Sequence, residues 1–483
     1  MKAFRITSSI GIFALLLALV PAAAAGAPPG NWVSGIACQN LSDTDPASIT
    51  LYFYQEGSST AALTYPDPNP IPANGSRNYF TPSTPPGVPE GFLGSVVVAS
   101  DTPLACNVNT QTTSAGTSTD PYRIGTSAGF SDTQTSSTMY APQVMRNLAG
   151  TWSSYIAVQN TSSSDASVEV TYKSRTGVAV PAATESATIK AQSNHIFYQT
   201  DNAGLPEGFI GAATISASGG AGLAVTVNFH NSGADANTAQ LHSYNGFASG
   251  AQTLFVPRIV RSFYGYNGGL SIQNVGASAT TVQITFNFSG NQYVYNSPSI
   301  ASGAALALYA PDIPALNPVD SLTVSQRFGS AVIEAAAGGS IVAIVNEDNR
   351  GGVGVPAERV GQGSSYNAIA DGSQTSTVFF AQVTRKAGGV FSGGFQVSNT
   401  TGTPGTCTIS YAGQAGATEN NVNLPANGSI ARFAPNVAGL PDGFNAAVTV
   451  DCTQPVVSIA NLAVEPGSGK FGDSFTQSNG LNR

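Results

Sequence analysis

The stretch IAVQNTSSSDASVEVTY, residues 156–172, decides the fold. Its second half, SVEVTY, alternates apolar and polar side chains, which is typical of a strand with one buried and one solvent-facing side. The first half, IAVQN, is another short run rich in strand-forming residues, and the Ser-rich segment between them is a turn. The stretch therefore predicts two short β-strands joined by a turn.

The same pattern recurs along the chain with a fixed period. IACQNLS, IAVQNTS, LSIQNVG and FQVSNTT align on Asn40, Asn160, Asn274 and Asn399. A second landmark, CNVN, VTVN, AIVN and SIAN, ends at Asn109, Asn228, Asn346 and Asn461. Because both landmarks keep the same order and a spacing of about 115–120 residues, the chain is predicted to hold four repeated modules.

Each module contains about seven short strand-like runs, and no helical window follows the first 25 residues. The sequence predicts an all-β protein of four tandem immunoglobulin-like β-sandwich modules, arranged as beads on a string or as a rod. The predicted bounds are a signal peptide at 1–25 and modules at 26–133, 134–250, 251–373 and 374–483.

One further strand motif occurs only three times. It comprises TMYAPQVMRN (138–147), TLFVPRIVRS (253–262) and TVFFAQVTRK (377–386). If this strand opens the module that follows it, module one lacks its first strand; if it closes the preceding module, module four lacks its last. Either way an unpaired edge is predicted, and such edges pair with other chains unless a segment such as 466–483 covers them.

The N-terminus predicts export. Lys2 and Arg5 precede the apolar run IGIFALLLALV (10–20), and Ala23 and Ala25 fit a cleavage site before Gly26. The protein is therefore expected to be secreted, extracellular or at the cell surface. Charged residues are only 9% of the chain and the net charge is −8, which argues against nucleic acid and against anionic membrane surfaces as partners. No later segment is long and apolar enough for membrane insertion.

Three Pro-acid-Gly-Phe segments raise the question of a repeated catalytic acid. Their carboxylates are Glu90, Glu207 and Asp442. The corresponding part of module three, QRFGSAVIEA (326–335), lacks the motif, and no second carboxylate recurs beside it as acid–base catalysis would need. The segments are therefore predicted to be structural turns, after which Phe92, Phe209 and Phe444 begin a strand and fill the core. No catalytic residue and no enzymatic activity are predicted.

Cys38, Cys106, Cys407 and Cys452 allow three pairings. Pairing within modules, 38–106 and 407–452, is the simplest, and an oxidising compartment permits it. Closing loops of this size would contribute about 3–5 kcal/mol.

No cofactor is predicted. His195, His230 and His242 do not recur between modules and form no metal-binding pattern. The oxygen-rich loops DTDP (43–46) and DPNP (67–70) leave calcium possible, although their spacing does not repeat. Five tyrosines leave sugar stacking open, although core packing explains their recurrence better: Tyr79, Tyr198, Tyr264, Tyr266 and Tyr309.

The motifs YAPQVMRN, IAVQNTSSSDASVEVTY, GLPEGFIGAA, LAVTVN and SYNGF together resemble those of repeat-bearing bacterial cell-surface proteins built from sandwich modules. The resemblance covers nearly the whole chain after the signal, although module one lacks the first motif and module three lacks the turn. It implies a surface location and sandwich repeats, and it implies no reaction.

The leading hypothesis is a structural or adhesive surface protein, such as a subunit of a surface layer, sheath or fibre, that self-associates through exposed strand edges. The alternative is an extracellular protein that binds surface polysaccharide. An enzyme with a site assembled between modules has no supporting motif.

Overall fold

The regular structure of this chain is strand and short 3-10 turn. The structure, a computed structural model, describes residues 11–17, 28, 30–233, 235 and 237–482, and no α-helix occurs among them. The predicted all-β class is confirmed, since the strands form antiparallel sheets throughout. No helix in this part of the chain has the length and apolar character that crossing a membrane requires.

The strands form four successive sandwiches. Sandwich 1 contains β1 (Gly11–Leu17), β2 (Trp32–Asn40), β3 (Ile49–Gln55), β4 (Ala61–Pro66), β5 (Ser76–Phe80), β6 (Gly94–Ser100), β7 (Leu104–Thr112), β8 (Ile124–Ala128) and β9 (Phe130–Ser131). Sandwich 2 contains β10 (Thr138–Arg146), β11 (Trp152–Asn160), β12 (Ala166–Ser174), β13 (Glu185–Ile189), β14 (Asn194–Tyr198), β15 (Phe209–Ala217), β16 (Leu223–Asn231) and β17 (Leu241–Asn245).

Sandwiches 3 and 4 repeat this series. Sandwich 3 contains β18 (Thr253–Val260), β19 (Tyr266–Asn274), β20 (Val282–Phe288), β21 (Asn291–Asn296), β22 (Ala305–Tyr309), β23 (Phe328–Ala335), β24 (Ile341–Asn349), β25 (Gly363–Asn367) and β26 (Ile369–Ala370). Sandwich 4 contains β27 (Thr375–Thr384), β28 (Phe391–Asn399), β29 (Gly405–Tyr411), β30 (Glu419–Leu424), β31 (Ser429–Phe433), β32 (Asn445–Val464), β33 (Thr476–Asn479) and β34 (Leu481–Asn482). The 3-10 turns are Asp132–Gln134, Pro181–Ala183, Ser218–Gly220, Ala310–Asp312, Pro314–Ser321, Val324–Gln326, Ala357–Arg359, Ala415–Ala417 and Ala434–Asn436.

Every sandwich divides its strands between two sheets in the same way. In sandwich 1 the sheets have the orders β4-β3-β6-β1-β9 and β5-β2-β7-β8. The sixth and seventh strands therefore belong to opposite sheets, and in sandwich 4 the single long β32 serves both. An immunoglobulin domain keeps the corresponding hairpin in one sheet. The strand order thus differs from the predicted immunoglobulin-like one, because the number and spacing of short strands do not fix which strands pair.

The stretch that predicted the fold forms β11 and β12. Val168 and Val170 are buried while Ser167 and Glu169 are exposed, which confirms the alternation. Asn160 holds the turn: its Nδ2 donates to Ser164 O at 2.7 Å, and its Oδ1 accepts from Ser162 N at 3.0 Å. Asn40, Asn274 and Asn399 make the same pair of bonds in their own turns. The asparagine of the first repeated landmark therefore fixes the turn that follows its strand.

The recurring strand motif opens the sandwich that follows it. β10 pairs with β15, β18 with β23 and β27 with β32, each within one sandwich. The alternative, in which the motif closes the preceding module, is wrong. The C-terminal strands β33 and β34 pair with β32 and β27, so the tail completes sandwich 4 instead of covering another edge.

The four sandwiches close into a ring, and the predicted beads-on-a-string or rod arrangement is wrong. In sandwich 4 the long β32 takes the places of the sixth and seventh strands, so β33 corresponds to the eighth strand of the other sandwiches. The strands at this eighth position lie at the centre of the ring, and each contacts the next, with β33 contacting β8 to complete the circle: β8, β17, β25 and β33. Asn109 of sandwich 1 donates to Gln382 of sandwich 4 at 2.8 Å, and Thr476 donates to Thr126 at 2.8 Å. Sequence repeats specify the unit but not the angle between units, so the spacing of landmarks could not predict closure.

Each interface of the ring uses the same parts. The opening strand of one sandwich lies against the second and seventh strands of the next, as β10 does against β19 and β24. Ser271 donates to Pro142 O at 3.0 Å, and Gln396, at the equivalent position of the next sandwich, donates to Pro257 O at 2.6 Å. Repeated modules thus bury repeated polar contacts.

Polar side chains fill the ring axis, and several of them bond to backbone groups of a neighbouring sandwich. Asn245 Nδ2 donates to Ala128 O at 2.9 Å, Asn367 to Asn245 O at 2.6 Å and Asn479 to Asn367 O at 2.7 Å. Buried Asp473 of sandwich 4 accepts from Leu241 N at 2.9 Å and Gly363 N at 2.8 Å. Asp473 thus joins sandwiches 2, 3 and 4.

Candidate functional site

The three Pro-acid-Gly segments form tight turns. In each turn the backbone N–H of the phenylalanine donates to the carbonyl oxygen of the proline three residues earlier. The N–O distances are 3.1, 3.2 and 3.2 Å for Phe92, Phe209 and Phe444. The glycine before each Phe has a positive φ, between 71° and 85°, which a residue with a side chain rarely adopts. Each Phe ring is buried and packs against an aromatic ring of the third strand of its sandwich, with centroids 5.7–6.4 Å apart. The turn therefore anchors the start of the sixth strand.

The turn carboxylates face a recurring arginine that the sequence interpretation missed. Glu207 lies 3.1 Å from Arg146, and Asp442 lies 2.8 Å from both Arg385 and Lys386. Hydrogen bonds from Lys386 and Arg385 lower the pKa of the Asp442 carboxyl. The arginine recurs in the sequence, because each opening-strand motif has VMR, IVR or VTR immediately before its last residue.

Sandwich 3 keeps the arginine and replaces the turn. Arg261 binds Asp320 through two nitrogens at 2.9 and 2.8 Å, and it also donates to Ala310 O at 2.5 Å. The partner acid comes from the 3-10 turn Pro314–Ser321. The Pro-acid-Gly motif is thus one of two ways to give this arginine a carboxylate.

Glu90, the acid of sandwich 1, is exposed. No ion pair to it occurs among the described residues. The apolar run IGIFALLLALV (10–20), which supplies the opening strand here, contains no arginine.

Both disulfides join the residues that were expected to pair. Cys38 and Cys106 face each other across β2 and β7, with Cα atoms 4.1 Å apart. Cys407 and Cys452 face each other across β29 and β32, with Cα atoms 4.0 Å apart. Each bond therefore links neighbouring strands of one sheet, in the first and the last sandwich.

The other candidate residues do not gather into one site. Tyr79 and Tyr266 are buried, Tyr198 and Tyr309 are half-buried, and Tyr264 is exposed. His195 pairs with Glu56 across the interface between sandwiches 1 and 2. His230 and His242 are both buried.

No group of three or more His, Cys, Asp or Glu side chains in the described part of the chain could hold a metal ion. In the DPNP loop, Asp67 accepts from Arg77 at 2.8 Å and from Tyr79 at 2.7 Å. These protein donors occupy the carboxylate that calcium would need.

Sandwich 1 differs from the others in the strand that occupies its opening position. This position lies between β6 and β9 and is filled by β1; it is called here the opening-strand groove. Gly11–Leu17 pairs with β6 over seven residues, from Gly11 opposite Ser100 to Leu17 opposite Gly94, and Phe13 and Ala14 pair with β9. The segment predicted to be an export signal therefore takes the strand position that the recurring motif takes in the other sandwiches.

β1 lacks two features of the other opening strands. β10, β18 and β27 each contain a bulge, where their register with the sixth strand shifts by one residue, whereas β1 pairs without a shift. The bulges contain Gln143, Arg258 and Gln382, and Gln143 and Gln382 accept hydrogen bonds from the next sandwich. The sequence GIFALLL has no side chain that can hydrogen-bond. The groove is thus filled by a strand that cannot reproduce these contacts.

Comparisons with known proteins establish no family. No protein-family description and no curated protein matches the chain. Among solved structures, the crystal structure of Thermotoga maritima 1070 matches with 16% identity over 25% of this chain and 96% of that chain, at a TM-score of 0.19. The pilus backbone RrgB from Streptococcus pneumoniae matches with 7% identity over 78% of this chain and 86% of that chain, at a TM-score of 0.11. At such TM-scores these likenesses imply neither fold nor function for this chain.

Proposed function

We propose that this chain is a non-catalytic, secreted structural or adhesive protein of the cell surface, and that processed chains join by strand addition. In this proposal the export signal is removed, the opening-strand groove of sandwich 1 is vacated, and a strand of a second copy enters it. The observation that carries the proposal is the pairing of Gly11–Leu17 with β6 and β9.

Removing β1 would leave two unpaired strand edges. Among the described residues β9 pairs only with β1, and β6 would keep only β3 as a partner. Each lost backbone hydrogen bond costs about 1 kcal/mol, and an open edge attracts another strand. Refilling the groove is therefore favourable by several times that amount, before apolar burial is added.

The composition supports close packing between copies. Charged residues make up 9% of the chain, so surfaces can approach with little electrostatic repulsion or desolvation of ions. A protein kept apart from its own copies usually carries far more charge.

Two forms of the protein test the proposal, the full chain 1–483 and the processed chain 26–483. We expect the processed chain to form filaments or sheets in negative-stain microscopy across a concentration series, and the full chain to remain as single rings. A processed chain that stays a single ring at every concentration would contradict self-assembly.

A peptide links assembly to the groove. TMYAPQVMRN, residues 138–147, carries the bulge and the arginine that β1 lacks. We expect it to bind the processed chain and block assembly, and a control peptide of the same composition in scrambled order to do neither. Assembly that proceeds unchanged with saturating peptide would show that copies join elsewhere.

A further inference from the structure

A cleft of about 550 Å³ lies between sandwiches 2 and 3, within the size range of small-ligand sites. Sandwich 2 contributes Trp152, and sandwich 3 contributes Tyr295 and Tyr309. The lining of this cleft comes from sandwiches 2 and 3, whereas the opening-strand groove belongs to sandwich 1.

The cleft offers aromatic faces in fixed positions. Trp152 is held by Phe229 and His242, whose ring centroids lie 6.0 and 5.6 Å away. The guanidinium of Arg350 lies 4.3 Å from the centre of the Tyr309 ring. Trp152, Tyr295 and Tyr309 are half-buried, so part of each ring remains open to a ligand. Flat, partly exposed aromatic rings suit ligands that present C–H faces.

Polar groups surround these rings. Arg350 Nε binds Asp348 Oδ2 at 2.6 Å, Asp312 is exposed on the rim, and Arg175 reaches in from sandwich 2. Two carboxylates and two guanidinium groups balance in charge, which favours a neutral ligand with many hydrogen-bonding groups over an ion.

The repeat does not require these residues. By strand register, the positions of Asp348 and Arg350 are occupied by Gln111 and Thr113 in sandwich 1 and by His230 and Ser232 in sandwich 2. All these sandwiches have the same topology, so the ion pair beside an aromatic ring is not needed to build one.

We propose that the cleft between sandwiches 2 and 3 binds a neutral oligosaccharide of hexose units. Trp152, Tyr295 and Tyr309 stack on the faces of the sugar rings, while Asp312, Asp348 and Arg350 hydrogen-bond to hydroxyl groups. The ring would then carry a glycan contact independent of strand addition.

The chain contains its own reporter for this proposal. It has two tryptophans, and Trp32 is buried in sandwich 1, so the W32F variant leaves Trp152 as the only indole. Full-length W32F is titrated with cellotetraose, maltotetraose and N-acetylated chitotetraose at millimolar concentration, and fluorescence is followed. We expect a saturable change with at least one of them.

Variants locate the binding. Y309A on the W32F background is expected to weaken binding about tenfold, because about 1.4 kcal/mol of stacking is lost. F433A is the matched control, since Phe433 ends the equivalent strand of sandwich 4 and is exposed outside the cleft. If Y309A does not fold, D312A is used in its place, since Asp312 lies on the exposed rim of the cleft and is expected to hydrogen-bond to the ligand. No response to any of the three oligosaccharides, or binding unchanged in both Y309A and D312A, overturns the proposal.

Discussion

His242 is a buried residue of β17, one of the four strands at the centre of the ring. Its ring stacks on Phe229 with centroids 4.6 Å apart, and its Nδ1 lies 3.0 Å from Ser365 Oγ of sandwich 3. Burial lowers the pKa of His242 to about 3, so the imidazole stays neutral in the folded protein. His195, by contrast, is 42% exposed beside Glu56.

The pKa of His242 predicts a loss of stability in acid. An unfolded histidine has a pKa of about 6.5. As the pH falls from that value towards the folded pKa of about 3, His242 binds a proton in the unfolded chain but not in the folded chain. The free energy of unfolding therefore decreases. We expect H242Q to lose less melting temperature than the wild type between about pH 7 and about pH 4. H195Q is the control, and parallel profiles for H242Q and the wild type would refute the prediction.

The repeated arginines differ in their burial and in the number of hydrogen bonds that they make. Arg261 is buried and donates to Asp320, Asn317 and the carbonyl of Ala310, whereas Arg385 is partly exposed; the carboxylates of Asp320 and Asp442 are both about half exposed. We expect R261A to reduce the free energy of unfolding by about 2–3 kcal/mol, because it removes the buried hydrogen bonds to the Ala310 and Ile313 carbonyls together with the ion pair to Asp320. R385A is expected to cost about 0–1 kcal/mol. Urea denaturation of both variants checks this, and equal losses would contradict it.

Among the elements, those with a strong local pattern were predictable. SVEVTY forms a half-buried strand, and the Pro-acid-Gly turn precedes a buried Phe. The occupant of the groove in sandwich 1 was not predictable, because an apolar run such as GIFALLL fits an export signal and a buried strand equally well. The arginine at the end of each opening strand was visible as a repeat, but its carboxylate comes from segments distant in sequence.

A graft tests the groove at the level of one strand. Residues 138–151 of sandwich 2 lead directly into Trp152, and Trp32 begins the equivalent strand of sandwich 1. Fusing a copy of 138–151 before Trp32 should fill the groove from within, raise the melting temperature above that of chain 26–483, and abolish assembly. The same graft with the residue copied from Arg146 changed to alanine should stabilise less. A graft that leaves both melting and assembly unchanged would argue against the groove.

For the whole molecule, ring closure depends on contacts that leave little trace in the sequence. The interfaces use backbone carbonyls, as at Pro142 and Pro257, together with amide and hydroxyl side chains. Such residues are common throughout this weakly charged chain, so their pairing across the axis could not be inferred from spacing. The candidate cleft between sandwiches 2 and 3 could not be predicted either, because its residues come from separate repeats.

Asp473 is the residue whose change should act on the whole ring. In D473N an amide nitrogen would replace one of the two oxygens that accept from Leu241 N and Gly363 N. One buried N–H then loses its acceptor, which costs about 1–3 kcal/mol. We expect a lower unfolding midpoint and faster amide hydrogen exchange in β17 and β25, while D201N, at an exposed position, changes neither. Unchanged exchange in these strands would mean that the carboxylate does not hold the sandwiches together.

Three of the four joints in the ring are also connected by the polypeptide, through the short segments that lead into β10, β18 and β27. The fourth joint, between sandwiches 4 and 1, is held by side-chain and backbone contacts alone, such as Asn109 with Gln382. The molecule is therefore a split ring with one seam. We expect tension between the two end sandwiches to part the seam first, because no polypeptide connects them directly, and the ring then to open into a longer chain of intact sandwiches. A surface built from such units would yield to a load by lengthening and would recover when the load is released.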